Sequence, residues 1–202
     1  MKIKIRKLGI GVLIAGVLLA RETDAGMWAK TTVQHDSRDY STLSLTGGGK
    51  LGWFDTFGFV ESIAPSENRD NLQLPYAEVK FARKNVCGLG VAIELNKQFG
   101  KPNVFRTGVV YEPGMGLPGV KLYPFANNDV GMQVGIYGHR EFIKGLYAEG
   151  FLDWNIKHGN IVAELQAGKR IRKGLYGVVE GRYSGFKMKE KTGVAAGLEW
   201  KF

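Results

Sequence analysis

Residues 52–61, with the sequence GWFDTFGFVE, combine four aromatic rings with two carboxylates. Aromatic rings offer flat π-faces to a planar solute, and carboxylates accept hydrogen bonds from hydroxyl and amine groups. In an extended strand, alternation would place the following residues on one face: Trp53, Asp55, Phe57, Phe59 and Glu61. A soluble core disfavours the carboxylates, and a solvated surface disfavours the rings. The stretch therefore predicts the wet wall of a passage that can hold a flat, hydrogen-bonding solute.

Residues that could catalyse a reaction are few. His35 and His158 fall in predicted connections on the same side, and Asp36 and Asp39 lie near His35. A carboxylate–histidine pair there could activate a water molecule, whereas the alternative is that these are ordinary solvated loop residues. The sequence contains no nucleophile elbow, zinc-protease or phosphate-loop motif. We expect no enzyme, no cofactor and no metal site.

The N-terminal segment has the order of a secretory signal peptide. Basic residues from Lys2 to Lys7 precede the apolar run Leu8–Ala20, and Thr23 and Ala25 occupy the −3 and −1 positions of a cleavage site. The apolar run is shorter than the roughly 20 residues that a membrane-spanning helix needs. We expect residues 1–25 to be removed and residues 26–202 to form one domain.

Charge and cysteine content exclude other classes. Residues 1–25 carry a net charge of +3, so the formal charge of +9 becomes +6 in the processed chain. These charges form no basic helix or stripe, so we expect no nucleic-acid partner. Cys87 is the only cysteine, which excludes an intrachain disulfide bond. It lies at a predicted turn, and nothing near it indicates an activated thiolate.

The elements that must position the aromatic stretch are short alternating strands. At the C-terminus, apolar residues from Val194 to Phe202 alternate with polar or tiny residues from Gly193 to Lys201. The same period of two recurs along the chain between gaps rich in Gly, Pro, Asn and Lys. It predicts about twelve strands, near 29–34, 40–46, 53–62, 74–82, 88–98, 104–112, 119–126, 130–138, 145–156, 160–168, 174–185 and 193–202.

Two architectures bury one face of such strands: a secreted β-sandwich and a transmembrane β-barrel. The clearest strands run near the roughly 9–11 residues of a tilted membrane strand, and their polar faces carry charges at mid-strand. The chain also ends on Phe202, which resembles the C-terminal assembly signal of bacterial outer-membrane proteins. We therefore predict an all-β, transmembrane, antiparallel up-and-down barrel of about twelve strands, with ten as the alternative. Its location would be the bacterial outer membrane.

On a barrel, the carboxylate-bearing face must be the lumen, because a bare carboxylate is strongly disfavoured in hydrocarbon. A barrel of about twelve strands has a narrow lumen in which side chains decide what passes. Each lumen charge either stabilises the wall by pairing or contacts solute, and the rings either fill space or stack. The alternation gives these candidate solute-binding residues: Trp53, Asp55, Phe57, Phe59, Glu78, Tyr123, Phe125, Tyr137, Tyr147, Phe151, Asp153, Tyr176, Glu180 and Arg182.

The run Trp53-Phe54-Asp55-x-Phe57-Gly58-Phe59 resembles an early strand of the nucleoside-specific outer-membrane channels, the Tsx-like family. Further stretches are similar in the same order: YAEVKF with Glu78, GLPGVKLYPF from Gly116, FLDWN with Asp153, VVEGRYSG and the closing GLEWKF. The resemblance implies a narrow, monomeric barrel of twelve strands that passes nucleosides by passive diffusion. This chain is shorter than the family, and its extracellular connections, such as KHG and ANND, are trimmed.

The sequence thus predicts an outer-membrane channel for passive diffusion of small hydrophilic solutes, with nucleosides the most favoured. The expected partners are these solutes, outer-membrane lipid and, through Phe202, the barrel-assembly machinery. The alternatives are a small structural or adhesive barrel and an outer-membrane enzyme, neither with a conducting pore.

Overall fold

The computed structural model describes residues 26–65, 76–85, 87–98, 101–114, 117–128, 130–185 and 191–202. The predicted signal peptide and Gly116 lie outside the described residues. Nothing in the described part of the chain is a helix long and apolar enough to cross a membrane.

The chain forms one closed antiparallel sheet. Each strand pairs with the next along the chain, and β1 pairs with β12 to close the barrel. This confirms the predicted up-and-down barrel with twelve strands, and the alternative of ten strands is wrong. The strands are β1 (Trp28–Asp36), β2 (Tyr40–Leu51), β3 (Phe54–Pro65), β4 (Tyr76–Lys84), β5 (Leu89–Gln98), β6 (Val104–Tyr111), β7 (Gly119–Ala126), β8 (Gln133–Ile143), β9 (Leu146–Asn155), β10 (Asn160–Arg172), β11 (Leu175–Ser184) and β12 (Thr192–Lys201).

Polar and apolar residues are distributed in the reverse of a soluble protein. Leu165 and Val194 are 66% and 57% exposed on the outer face, whereas Glu94 and Glu199 are 1% and 0% exposed inside. A barrel that turns apolar side chains outward and charged side chains inward is suited to lipid outside and a polar lumen.

The first strand begins and the last strand ends at the same end of the barrel, which we call the terminal end; the opposite end is the loop end. Strands β8 and β9, and strands β10 and β11, are joined at the terminal end by two-residue turns. Gly145 and Gly174 in these turns have φ values of 85° and 76°, which glycine adopts without the steric cost of a β-carbon.

A β-bulge resets the alternation in β7. Val109 pairs with Leu122 and Thr107 with Phe125, so Tyr123 and Pro124 together oppose Gly108. Proline donates no ladder hydrogen bond, and a β-carbon on Gly108 would lie 1.9 Å from a backbone oxygen of Leu122.

The bulge determines which way Phe125 faces. Because Thr107 lies on the outer face of β6, its partner Phe125 also points outward and is 72% exposed. The prediction that Phe125 lines the lumen is therefore wrong, since uninterrupted alternation does not hold across Pro124.

Candidate functional site

The strand register places most of the predicted solute-binding residues on the lumen face. These are Asp55, Phe57, Phe59, Glu78, Tyr123, Tyr137, Tyr147, Phe151, Asp153, Tyr176, Glu180 and Arg182. Trp53 is not among them, because it lies in the turn before β3 and is 83% exposed. Its ring lies 5.8 Å from the guanidinium of Arg83, an outer-face residue of β4. The predicted lumen position of Trp53 is therefore wrong.

Four lumen rings form a continuous series, which we call the ring ladder: Trp28, Phe57, Phe59 and Tyr76. Adjacent ring centroids are separated by 6.3 Å, 6.3 Å and 5.5 Å. The ladder climbs from the start of β1 at the terminal end, along β3, to the start of β4 at the loop end. Sequence reasoning missed Trp28 because it placed the start of β1 one residue later; the register pairs Trp28 with Gly48 and Gly48 with Phe57.

Beside the ladder, β2 presents short side chains to the lumen. Ser44 pairs with Glu61, Thr46 with Phe59, and Gly48 with Phe57. We call the middle of this lumen face the hydroxyl wall; it comprises Thr42, Ser44, Thr46 and Gly48, between Tyr40 and Lys50 at the two ends of the strand. Isolated Ser and Thr residues carry no distinctive sequence signal, so this feature could be found only from the pairing.

The opposite part of the lumen is occupied by long charged side chains. Lys30 of β1 contacts both Glu149 of β9 and Glu199 of β12, the latter at 3.0 Å between Nζ and Oε2. β1 and β9 are separated by three intervening strands around the barrel, so the lumen here is no wider than two extended side chains. Glu61 of β3 similarly lies 4.0 Å from Arg182 of β11. These contacts across the lumen narrow it.

A buried polar cluster lies on the wall formed by β5, β6, β7 and β9. Arg106 Nη1 donates to Glu94 Oε1 at 2.8 Å, and Lys121 Nζ donates to Asp153 Oδ2 at 2.9 Å. Within the described part of the chain, four buried atoms here have no hydrogen-bond partner: Glu94 Oε2, Arg106 Nε, Tyr123 OH and Asp153 Oδ1. Buried polar groups are normally satisfied, so this cluster retains unused hydrogen-bonding capacity.

A third group of charges lies at the terminal end. Lys84 Nζ lies 3.2 Å from Asp55 and also contacts Glu112, which accepts a hydrogen bond from Tyr137. Lys80 lies over the Tyr137 ring at 4.3 Å. Burial raises the pKa of the Glu112 carboxyl, but the hydrogen bonds from Lys84 and Tyr137 and the charge of Lys80 outweigh burial, so the pKa is lowered overall. The contact with Lys84 holds Asp55 at the terminal end of the lumen, where the ring ladder begins.

The residues considered for catalysis are dispersed. His35 faces outward, with Nδ1 3.2 Å from Ser41 Oγ, and the exposed Cys87 lies near the β4–β5 turn. His158 lies in the β9–β10 turn. No set of three or more His, Cys, Asp or Glu among the described residues is arranged to hold a metal ion.

The closed barrel with a polar lumen is the architecture of outer-membrane β-barrels, and solved structures share it. A KdgM porin in complex with disordered oligogalacturonate matches with a TM-score of 0.55 and 13% identity, over 87% of this chain and 99% of that chain. Outer membrane phospholipase A from Escherichia coli matches with a TM-score of 0.56 and 13% identity, over 94% of this chain and 97% of that one. No protein-family profile and no curated protein matches the chain. At this identity the likeness shows the fold, and the nucleoside-channel resemblance stays a prediction.

Proposed function

We propose that this protein is an outer-membrane channel through which small, hydrophilic, flat solutes diffuse passively, with nucleosides the most favoured. The observation that carries the proposal is the ring ladder lying directly beside the hydroxyl wall. One surface offers π-faces, and its neighbour offers hydroxyl donors and acceptors.

The proposed passage runs along β2 to β4. The lumen side chains of β2 from Thr42 to Gly48 are short, whereas Glu149, Glu199 and Arg182 fill the opposite side. Lys30 of β1 reaches across to Glu149 and Glu199. We place the solute beside Phe57, Phe59 and Thr46, where the ring ladder meets the hydroxyl wall. A solute there would stack on the rings and exchange hydrogen bonds with Thr46, Ser44 and the free acceptor positions of Asp55.

The charge pattern favours neutral over strongly anionic solutes. Carboxylates and cations alternate around the lumen in pairs such as Asp55–Lys84, Glu94–Arg106 and Asp153–Lys121. A continuous cationic surface, which would suit a polyanion, is thereby interrupted. Binding must also remain weak, because a channel that holds its solute tightly cannot release it.

Current block tests the preference for nucleosides. In planar bilayers, adenosine should reduce the ion current more than ribose does, because ribose lacks the base that stacks. Stacking is worth about 1–3 kcal/mol per base, and ~1.4 kcal/mol is tenfold in affinity, so Phe57→Ala should weaken adenosine block by roughly tenfold. Phe105→Ala is the matched control, because Phe105 is an aromatic residue of the outer face, 43% exposed. Equal block by adenosine and ribose would contradict the preference for nucleosides and would indicate a general pore for small solutes.

Export by the N-terminal signal peptide, a monomeric state and assembly by the barrel-assembly machinery through Phe202 belong to the same proposal. Phe202 donates its backbone N–H to Ala29 O at 3.0 Å, so the last residue takes part in closing the ring. This contact agrees with a role of the C-terminus in assembly.

A second candidate is an outer-membrane hydrolase, which the Ser41–His35 hydrogen bond favours. In a Ser-His-Asp triad a carboxylate orients the histidine. The register places every Asp and Glu of the described strands on the lumen face, away from the His35 ring. We therefore favour the channel. Covalent labelling of Ser41 by a fluorophosphonate, lost in Ser41→Ala, would instead support the hydrolase.

A further inference from the structure

The charges on the outer face of the barrel are sorted by sign and by end. While the described strands turn their carboxylates to the lumen, they leave several cations outside. Arg83, Arg140, Lys169 and Arg172 are all exposed on this outer face close to the terminal end. At the loop end, the outer-face cation of the described strands is Lys97, whose Nζ donates to the backbone oxygen of Lys101 at 3.1 Å.

Each of the three arginines lies beside an exposed aromatic ring. The guanidinium carbons of Arg83, Arg140 and Arg172 lie 5.8 Å, 5.9 Å and 5.5 Å from the ring centroids of Trp53, Phe142 and Trp200. The rings themselves are 83%, 60% and 41% exposed, respectively. We call these six residues the arginine–aromatic collar.

The collar surrounds the barrel rather than forming one patch. Its pairs lie on the β2–β3 turn with β4, on β8, and on β10 with β12. The other cation–π contacts in the described part of the chain point inward: they are made by Arg38, which is buried in the β1–β2 turn, and by the lumen residues Lys80, Lys121 and Lys201. The outward contacts therefore share one residue type, arginine, and one end of the barrel.

This combination has a specific chemistry. Trp and related rings settle at the boundary between hydrocarbon and headgroups, which fixes the height of the collar in a bilayer. An arginine that rests on a ring keeps the edge of its planar guanidinium free, and that edge donates two parallel hydrogen bonds to a phosphate. The outer faces of the described strands carry no carboxylate to neutralise them, so these arginines favour a negatively charged headgroup.

We propose that the arginine–aromatic collar binds the phosphates of anionic phospholipids in the leaflet that surrounds the terminal end. The lipid stabilises the inserted barrel and sets its depth in the bilayer. This inference requires insertion into a membrane but not conduction, so it survives if the lumen proves closed.

Thermal unfolding in vesicles tests the proposal. The full barrel is reconstituted in phosphatidylcholine alone or mixed with phosphatidylglycerol, and the unfolding midpoint is measured by the heat-induced shift on a cold gel. Wild-type protein should gain stability from phosphatidylglycerol, and the gain should shrink in high salt, because salt screens exposed charges. The triple variant Arg83→Gln, Arg140→Gln, Arg172→Gln should lose most of the gain.

Two comparisons keep the test decisive. Lys97→Gln, which removes an outer-face cation from the loop end, should retain the full gain; an equal loss there would overturn the proposal. If the triple variant fails to fold, Arg140→Gln alone is scored by native mass spectrometry for retained phosphatidylglycerol relative to phosphatidylcholine, and an unchanged ratio overturns the proposal. Retention of the wild type on peptidoglycan, without any vesicle effect, would assign the collar to a different partner.

Discussion

Lys30 illustrates at the residue scale how one cation narrows the lumen. Its ammonium group contacts Glu149 and Glu199, and these acids are held by other groups as well. Tyr147 donates to Glu199 Oε1 at 2.6 Å, and Gln166 donates to Glu199 Oε2 at 3.0 Å. Gln166 also donates to Glu149 Oε1 at 3.1 Å, so removing Lys30 would leave both carboxylates partly satisfied.

We predict that Lys30→Ala raises the open-channel conductance, because the long side chain that joins β1 to β9 across the lumen is removed. Breaking a buried ion pair costs about 3–5 kcal/mol, and the remaining partners of Glu199 should keep the loss at or below that range. Single-channel recording gives the conductance, and chemical denaturation gives the stability. Lys50→Ala is the matched control, since Lys50 is an exposed lysine at the terminal end of β2 and its replacement removes the same charge. If both substitutions change conductance equally, the effect is one of charge and not of width.

Individual residues were predictable where alternation alone decides their direction. Asp55, Phe57 and Phe59 follow from the period of two, and the structure places them in the lumen. Phe125 and Trp53 were misplaced because a bulge and a turn interrupt that period, and neither interruption can be located without the pairing partner.

At the scale of the strands, the pattern of one apolar and one polar face determined nearly all of the architecture. The predicted strands near 88–98 and 193–202 correspond to β5 (Leu89–Gln98) and β12 (Thr192–Lys201). The ring ladder and the hydroxyl wall could not be predicted, because they arise from register between strands rather than from any one strand. Gly48 joins them by pairing with both Trp28 and Phe57.

The two faces of a strand should respond differently to a charge. Val179 is 54% exposed on the outer face of β11, so Val179→Arg should cost about 2–4 kcal/mol if it sits near the bilayer midplane. The yield of folded barrel in vesicles measures this cost. Thr46→Arg is the control on the lumen face; it should fold nearly as well as wild type but conduct poorly, because it fills the hydroxyl wall. Equal loss of folding in both variants would mean that the assignment of faces is wrong.

At the scale of the whole molecule, the closed ring ties the terminal strands together. β1 and β12 pair from Lys30–Lys201 to Asp36–Ala195, which leaves no unpaired sheet edge. Removal of residues 1–25 before this closure stays a prediction.

The central claim is that solutes cross the barrel along the hydroxyl wall, and single-channel current after thiol modification tests it most directly. Cys87 is first replaced by serine, which removes the only cysteine, and a charged, water-soluble thiosulfonate is then applied to Thr46→Cys or Leu45→Cys channels. Thr46 faces the lumen and the adjacent Leu45 faces outward. We predict that the reagent reduces the current of Thr46→Cys channels and leaves that of Leu45→Cys channels unchanged. Absence of current through the unmodified protein, or the same reduction in both variants, would contradict the proposed passage.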